Sequence, residues 1–146
     1  MGLGIYNTER VALADLDDTV TTAHNGVTGE SVDVLLYLRN DDPGLYYSDI
    51  NISTLDSEGE DDTLGVYGTG RGFKLVAGAR QPTEIEWDNV LAGDVITMSD
   101  IGTTDLADTT TYYPFWVRVI VPGNTACQTF SDVSLVIQVS EHVLGA

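Results

Sequence analysis

Two stretches of the chain decide its fold class: FWVRVIV at Phe115–Val121 and VSLVIQV at Val133–Val139. In both, apolar side chains recur at every second position, which is the period of a β-strand with one face on a core. In the first stretch the second face is also largely apolar, because Trp116 and Ile120 flank Arg118 on it. A face of that composition predicts contact with a partner strand, a loop or another subunit.

The same alternation predicts further strands over most of the chain after residue 30. The predicted strands are Val32–Leu38, Tyr46–Thr54, Leu64–Tyr67, Gly72–Val76, Thr83–Trp87 and Asp94–Met98. Turn residues separate them, most strongly at NDDPG, residues 40–44, where Asn and Asp cap a turn and Pro fixes φ. Many short strands separated by turns predict an all-β fold, an immunoglobulin-like or jelly-roll-like antiparallel β-sandwich.

The segment before residue 26 has no sustained period of a helix or a strand. We predict an N-terminal extended arm over residues 1–25 and a single β-sandwich domain over residues 26–146. Within the arm, Thr8–Asp17 is either a short helix or part of the extended chain. The candidates for contact with a neighbouring subunit are apolar, aromatic or cationic: Ile5, Tyr6, Val11 and Leu13 in the arm, and Trp116 and Arg118 in the sandwich.

The charge balance narrows the class of partner. The chain has 23 acidic and 6 basic residues, and its formal net charge is −17. A field this negative repels phosphates, so no nucleic acid is expected as a partner. No stretch approaches the ~20 consecutive apolar residues of a membrane-spanning helix, and no membrane partner is expected. Strong self-repulsion also opposes folding at low salt, and molar salt removes that effect by shortening the Debye length to ~3 Å.

Few residues are suited to chemistry. Only His24 and His142 are available as imidazole bases, the first in a Gly/Asn turn and the second near the end of the sequence, so a catalytic triad is not expected. Cys127 has no second cysteine to pair with. Glu84 and Glu86 are interpreted as the solvent-facing side of a strand, with hydrolysis by paired acids as the enzymatic alternative. We predict no enzyme activity and no cofactor.

An acidic segment at residues 56–63 offers oxygen ligands of the kind that calcium prefers. Its spacing does not match the EF-hand loop. Calcium sites in loops of β-sandwiches do not need that spacing, so Asp56, Glu58 and Asp61 are candidate metal ligands. The alternative is a solvated hairpin tip.

Two segments resemble a recurrent small β-sandwich of tailed viruses. The first is LLYLRN at Leu35–Asn40, followed by YYSDINI at Tyr46–Ile52. The second is YPFWVRVIVP at Tyr113–Pro122, which resembles the ending of immunoglobulin-like domains in virion proteins. Within these segments Arg39 and Arg118 are rare cations in an acidic chain. We expect them to pair with carboxylates, either inside the domain or across a subunit contact.

The resemblance implies a virion structural protein of a tailed virus, assembled in the host cytoplasm. The aspartate-rich, lysine-poor composition resembles proteins of haloarchaea and their viruses, with an ordinary acidic protein as the alternative. The preferred role is a capsid decoration or cement protein, a homo-oligomer that contacts the major capsid protein or other virion proteins. One alternative is a neck, tail or baseplate protein. Another is a module that binds carbohydrate or a host surface, suggested by the aromatic residues Tyr46, Tyr47, Tyr112 and Tyr113.

Overall fold

The computed structural model describes residues 2–12, 30–56, 72–90, 94–121 and 133–145 of the chain. These residues form seven strands and one short helix. In chain order they are β1 Leu3–Tyr6, β2 Glu30–Asn40, β3 Leu45–Asp56, β4 Gly72–Ala77, α1 Glu84–Asp88, β5 Ile96–Met98, β6 Tyr113–Val121 and β7 Val133–Val143. The predicted all-β class is confirmed. The predicted strand Leu64–Tyr67 lies outside the described residues.

The strands form two antiparallel sheets. One sheet has the order β1-β2-β6-β4 and the other has the order β5-β3-β7. The consecutive strands β2 and β3 therefore lie in opposite sheets, and their partners β6 and β7 do the same. This is the pairing of strands B, C, E and F in an immunoglobulin sandwich, where B lies beside E and C beside F.

The core lies between the two sheets, because each central strand turns alternate apolar side chains inward. The four-stranded sheet contributes Leu36, Leu38, Leu75, Phe115 and Val117. The three-stranded sheet contributes Tyr47, Ile50, Ile52 and Met98, and Ile101 from the following loop joins them. The alternation in the sequence thus identified the inner face of both sheets.

The start of the chain differs from the predicted arm. Leu3–Tyr6 pairs antiparallel with β2, so this piece of residues 1–25 belongs to the four-stranded sheet and not to a separate arm. Leu3 is buried, and Ile5 packs against the core. The backbone N–H of Gly2 donates to the Tyr47 hydroxyl at 2.7 Å. A strand of four residues is too short to show a period in sequence, and tertiary contacts determine it. Residues 13–25 lie outside the described part.

The segment predicted as a strand at Thr83–Trp87 forms helix α1, so that prediction was wrong. Thr83 caps the helix: its side chain accepts from the N–H of Glu86, and the Glu86 carboxylate accepts from the N–H of Thr83. This capping box satisfies two backbone donors that a helix start leaves unpaired. Alternation over only four residues suits either structure, and the cap decides for the helix.

Candidate functional site

The outward face of the four-stranded sheet gathers aromatic and cationic side chains. In β2, Leu36 and Leu38 point into the core, so Tyr37 and Arg39 point outward. Strand β1 lies beside β2 and places Tyr6 opposite Tyr37. The chain entering β6 brings Tyr112 to the same place, and the turn after β1 brings Arg10. We call these five residues the Tyr–Arg face: Tyr6, Arg10, Tyr37, Arg39 and Tyr112.

Tyr112 is the centre of the Tyr–Arg face. Its ring meets the edge of Tyr6 at a centroid distance of 5.2 Å and that of Tyr37 at 5.8 Å. The guanidinium carbon of Arg39 lies 4.9 Å from its centroid and that of Arg10 lies 5.0 Å away. Guanidinium groups within about 6 Å of a ring are attracted by its negative face. The Tyr112 ring therefore contacts two guanidinium groups.

Hydrogen bonds hold three of the five residues of the Tyr–Arg face in place. Arg39 donates from Nε to the carbonyl of Thr109 at 2.8 Å and from Nη1 to the Tyr112 hydroxyl at 3.0 Å. The Tyr6 hydroxyl donates to Asp41 Oδ2 at 2.6 Å. Burial of the Tyr6 ring and this bond to a carboxylate raise the pKa of Tyr6. Tyr6, Arg39 and Tyr112 are thus held by bonds within the chain.

Arg10 is presented differently. It is exposed, and no carboxylate among the described residues lies within salt-bridge distance of it. Its backbone has φ of 63°, the left-handed region that side chains other than glycine rarely adopt. A turn closed by the bonds from Asn7 N to Val11 O and from Arg10 N to Asn7 O holds that conformation. The fold therefore holds a guanidinium that has no carboxylate partner among the described residues over two tyrosine rings.

Arg118, further along the same face, pairs with two carboxylates of its own chain. It makes a bidentate bond to Asp33, with Nε–Oδ1 at 2.6 Å and Nη2–Oδ2 at 3.1 Å. A second bidentate bond joins it to Glu84, with Nη1–Oε2 at 2.8 Å and Nη2–Oε1 at 2.9 Å. The expected pairing of Arg118 with carboxylates is confirmed inside the domain. Arg39 also lies near a carboxylate, with 3.6 Å between its Nε and Asp41 Oδ1.

The bonds of Arg118 to Asp33 and Glu84 fasten helix α1 to the sheet. Trp87, the buried residue of the helix, lies 5.0 Å from the Arg118 guanidinium and donates from Nε1 to Asp33 Oδ2 at 3.2 Å. Lys74 donates to the Trp87 carbonyl at 3.0 Å. Burial raises the pKa of Asp33, but the bonds from Arg118 and Gln81 outweigh it and hold that pKa below its ordinary value. This cluster is an internal clamp with its polar groups paired.

The three-stranded sheet has another kind of outer face. The Ser48 hydroxyl lies 2.9 Å from Nε2 of His142, and the His142 ring stacks on Tyr46 at 4.6 Å. The carboxylate of Asp49 lies near the hydroxyls of Ser48 and Ser140. Among the described contacts, none joins a carboxylate to the other nitrogen of His142, which a triad needs to orient its base. No local pattern predicts the Ser48–His142 contact, because the two residues are 94 positions apart in the chain.

The six residues predicted for subunit contacts have different positions. Tyr6 is buried in the Tyr–Arg face, Ile5 packs on the core and Arg118 lies in the clamp. Trp116 is half-buried and donates from Nε1 to the Ala79 carbonyl at 3.2 Å. Val11 is 59% exposed. Leu13 lies outside the described residues. Of the six, only Tyr6 contributes to the Tyr–Arg face. The period-2 pattern of β2 was the available sequence signal for Tyr37 and Arg39.

The tyrosines that suggested sugar binding are only partly accessible. Tyr47 is fully buried, and Tyr113 is half-buried with its hydroxyl donating to Asp108 at 2.7 Å. Burial and this bond raise the pKa of Tyr113 to about 12. Tyr46 and Tyr112 are half-buried and pack against other rings. Tyr47 is therefore not one of the exposed rings that sugar binding would need.

The candidate calcium ligands stay a prediction. Glu58 and Asp61 lie outside the described residues, and Asp56 ends β3 with its side chain among those not described. Over the ranges that the structure describes, no three His, Cys, Asp or Glu side chains come together in a way that would hold a metal ion.

Among the described helices, none has the length and apolar character needed to cross a membrane. No protein-family model, curated protein or solved structure matches the chain.

Proposed function

We propose that the protein is a non-enzymatic structural protein of a tailed virus with a haloarchaeal host. In this proposal it decorates or cements the capsid, and it packs the Tyr–Arg face against an acidic neighbouring protein such as the major capsid protein. One observation carries the proposal: in a chain of net charge −17, two guanidiniums and three tyrosine rings gather on one sheet face. Arginine and tyrosine are the residues that protein interfaces concentrate.

The partner is chosen by charge. Proteins that function in molar salt carry acidic surfaces, and a neighbour of that kind complements an exposed guanidinium. Arg10 is the described cation that meets this need, because it is exposed and has no described carboxylate partner. Its fixed position over Tyr37 and Tyr112 lowers the entropy that binding would otherwise lose. The internal bonds of Arg39 keep that surface in one shape.

The location on a virion is tested directly. An antibody raised against the purified chain is applied to virus particles whose genome encodes the chain. It is expected to label the shell at many sites. Label confined to the neck, tail or baseplate would favour that alternative role. Particles without label, together with binding on a glycan array, would favour a carbohydrate-binding module and overturn the proposal.

The use of the Tyr–Arg face is tested with two matched arginines. Recombinant chain is added back to particles that have lost it, and occupancy is measured against concentration. Arg10→Gln is expected to weaken rebinding at least tenfold. Arg80→Gln is the control. Arg80 is also exposed, but it lies outside the Tyr–Arg face and its Nη1 pairs with Glu86 Oε1 at 2.9 Å. Equal rebinding by both variants would show that the Tyr–Arg face is not the contact.

The halophilic part is tested by thermal unfolding across ~0.1 to 3 M salt, because salt in this range shortens the Debye length from about 10 Å to a few ångströms. The melting temperature of a chain with net charge −17 is expected to rise steeply with salt. A folded chain whose melting temperature does not change with salt concentration would overturn the haloarchaeal assignment. It would leave the structural role open.

A further inference from the structure

Strand β7 has the longest free edge among the described strands. It spans 11 residues at the border of the three-stranded sheet and, of the strands described, pairs only with β3. The other border strands are short: β1 has 4 residues, β4 has 6 and β5 has 3. A long edge presents a row of unpaired N–H and C=O groups, which is a template for another strand.

The edge of β7 also lacks the devices that keep sheet edges apart. Proteins protect edges with lysine, proline, bulges or very short strands. The sequence VSLVIQVSEHV contains no lysine and no proline. The pairing of β3 with β7 is irregular between Ser48 and Asn51, where Asp49 and Ile50 of β3 oppose Val139 alone. The extra residue therefore belongs to β3, and β7 has a regular backbone beside its free edge.

The side chains of β7 show that the core is incompletely covered at this edge. Leu135, Ile137 and Val139 pack against the core but are only half-buried, whereas Ile50 and Ile52 of the neighbouring β3 are fully buried. The two sheets have four and three strands, and β4 and β5 are in contact at one side. Among the described strands, the side of the three-stranded sheet without a further neighbour is therefore the β7 side. A strand added beside β7 would cover its aliphatic side chains.

We propose that β7 pairs antiparallel with β7 of a second copy of this chain, across a two-fold axis at Gln138. The two three-stranded sheets would then form one six-stranded sheet. A two-fold contact is isologous, so one self-complementary edge is sufficient to build it. Gln138 is exposed and would lie directly opposite its own copy.

Charge selects a second copy at this edge. Two molecules of net charge −17 repel each other, and β7 contains a single acid, Glu141, and no lysine or arginine. In the register centred on Gln138, Glu141 of one copy lies opposite Leu135 of the other. The two Glu141 residues are then six positions apart along the strand, about 20 Å at 3.4 Å per residue. That separation exceeds the ~8 Å Debye length at physiological salt, so the two Glu141 carboxylates of β7 do not oppose each other in this register.

The inference rests on the proposed function only in taking the chain to be a homo-oligomer. It is tested by sizing the purified chain at the lowest salt concentration at which it is folded, where twice the 15.7 kDa of one chain is expected. Gln138→Lys places two like charges opposite each other and is expected to raise the dissociation constant at least tenfold. Thr97→Lys makes the same charge change on the exposed face of β5 and is expected to leave it within twofold.

Crosslinking tests the register. In a Cys127→Ala background, Gln138→Cys is expected to give a disulfide-linked dimer under mild oxidation, because facing Cβ atoms lie about 5 Å apart. Thr97→Cys is expected to crosslink at least tenfold more slowly. A monomer at all concentrations, or equal crosslinking by both variants, would overturn the inference. A β7 dimer formed by a chain that never labels particles would keep this inference and overturn only the virion role.

Discussion

The outer faces of the two sheets differ in charge although they belong to one very acidic chain. Every basic residue in the described ranges lies in or beside the four-stranded sheet: Arg10, Arg39, Lys74, Arg80 and Arg118. Strands β3, β5 and β7 contain no lysine or arginine, and their outer face carries serine, tyrosine, histidine and other polar side chains, with the carboxylate of Asp49 among them. The few cations are therefore concentrated on one sheet, where they fasten a helix and form the Tyr–Arg face.

The largest effect is expected where a cation of the four-stranded sheet is buried. Arg118→Met removes the partner of Asp33, whose side chain is 6% exposed, and leaves an uncompensated buried carboxylate. We expect a loss of about 3 to 5 kcal/mol in the free energy of unfolding. Glu84→Gln is the matched control, because the Glu84 side chain is 77% exposed, and it is expected to cost far less than Arg118→Met.

Denaturant unfolding of both variants in the same high salt measures the difference. A loss below about 1 kcal/mol for Arg118→Met would mean that the clamp adds nothing to the stability of the four-stranded sheet. The charged groups of the four-stranded sheet would then contribute no more to stability than the polar groups of the three-stranded sheet.

Local patterns in the sequence predicted the central strands but neither β1 nor the partners of the charged groups. The alternation at Phe115–Val121 and Val133–Val139 predicted β6 and β7, because burial of one sheet face imposes a period of two. That Arg118 needs a carboxylate follows from the cost of burying a charge. Its partners Asp33 and Glu84 are 85 and 34 residues away; the sheet register brings Asp33 to Arg118, and helix α1 brings Glu84. Distances of this kind leave no trace in one sequence.

Helix α1 and the Tyr–Arg face were missed for different reasons. Thr83 and Glu86 have the spacing of a capping box, so the signal for the helix was present and the short alternation obscured it. Tyr37 and Arg39 alternate on the outer face of β2, which shows only that they are on one side. Their meeting with Tyr112 depends on how the chain enters β6, which no local pattern predicts.

A smaller effect is expected in the loop that carries Tyr112. Burial raises the pKa of Asp108, but hydrogen bonds from Tyr113, Thr111 and Thr110 outweigh it and lower that pKa to about 2 from an ordinary 3.8. A carboxylate whose pKa is lower in the folded state stabilises the fold above pH 3.8, and this contribution is lost as the pH falls through 2. Asp108→Asn is expected to cost about 1 to 3 kcal/mol at neutral pH.

The same variant is expected to flatten the fall in melting temperature between pH 4 and pH 2, the window set by those two pKa values. Asp100→Asn, at an exposed position of the preceding segment, is the control and is expected to keep the slope of the native chain. An unchanged slope for Asp108→Asn would show that Asp108 does not hold this loop.

The link between the sheets at Tyr47 is expected to contribute somewhat less. Its hydroxyl accepts from Gly2 N at 2.7 Å and donates to Glu141 Oε1 at 2.8 Å, which ties β1 to the three-stranded sheet. Tyr47→Phe leaves both groups without this partner and is expected to cost about 1 to 2 kcal/mol. Tyr46→Phe is the control, because the Tyr46 hydroxyl makes no described hydrogen bond, and it is expected to cost under about 0.5 kcal/mol. Equal losses in urea unfolding would contradict the link.

The smallest effect on stability is expected at Arg10, and that small size is informative. Its guanidinium lies over Tyr37 and Tyr112 at the surface, where a cation–π contact contributes about 0.5 to 1 kcal/mol. Arg10→Met is expected to lower the free energy of unfolding by no more than that, while rebinding to stripped particles falls as for Arg10→Gln. On the proposed function, a residue kept in a left-handed conformation for so little stability acts in a contact with a partner. A loss in the free energy of unfolding near the 3 to 5 kcal/mol expected for Arg118→Met would instead show that Arg10, like Arg118, stabilises the fold.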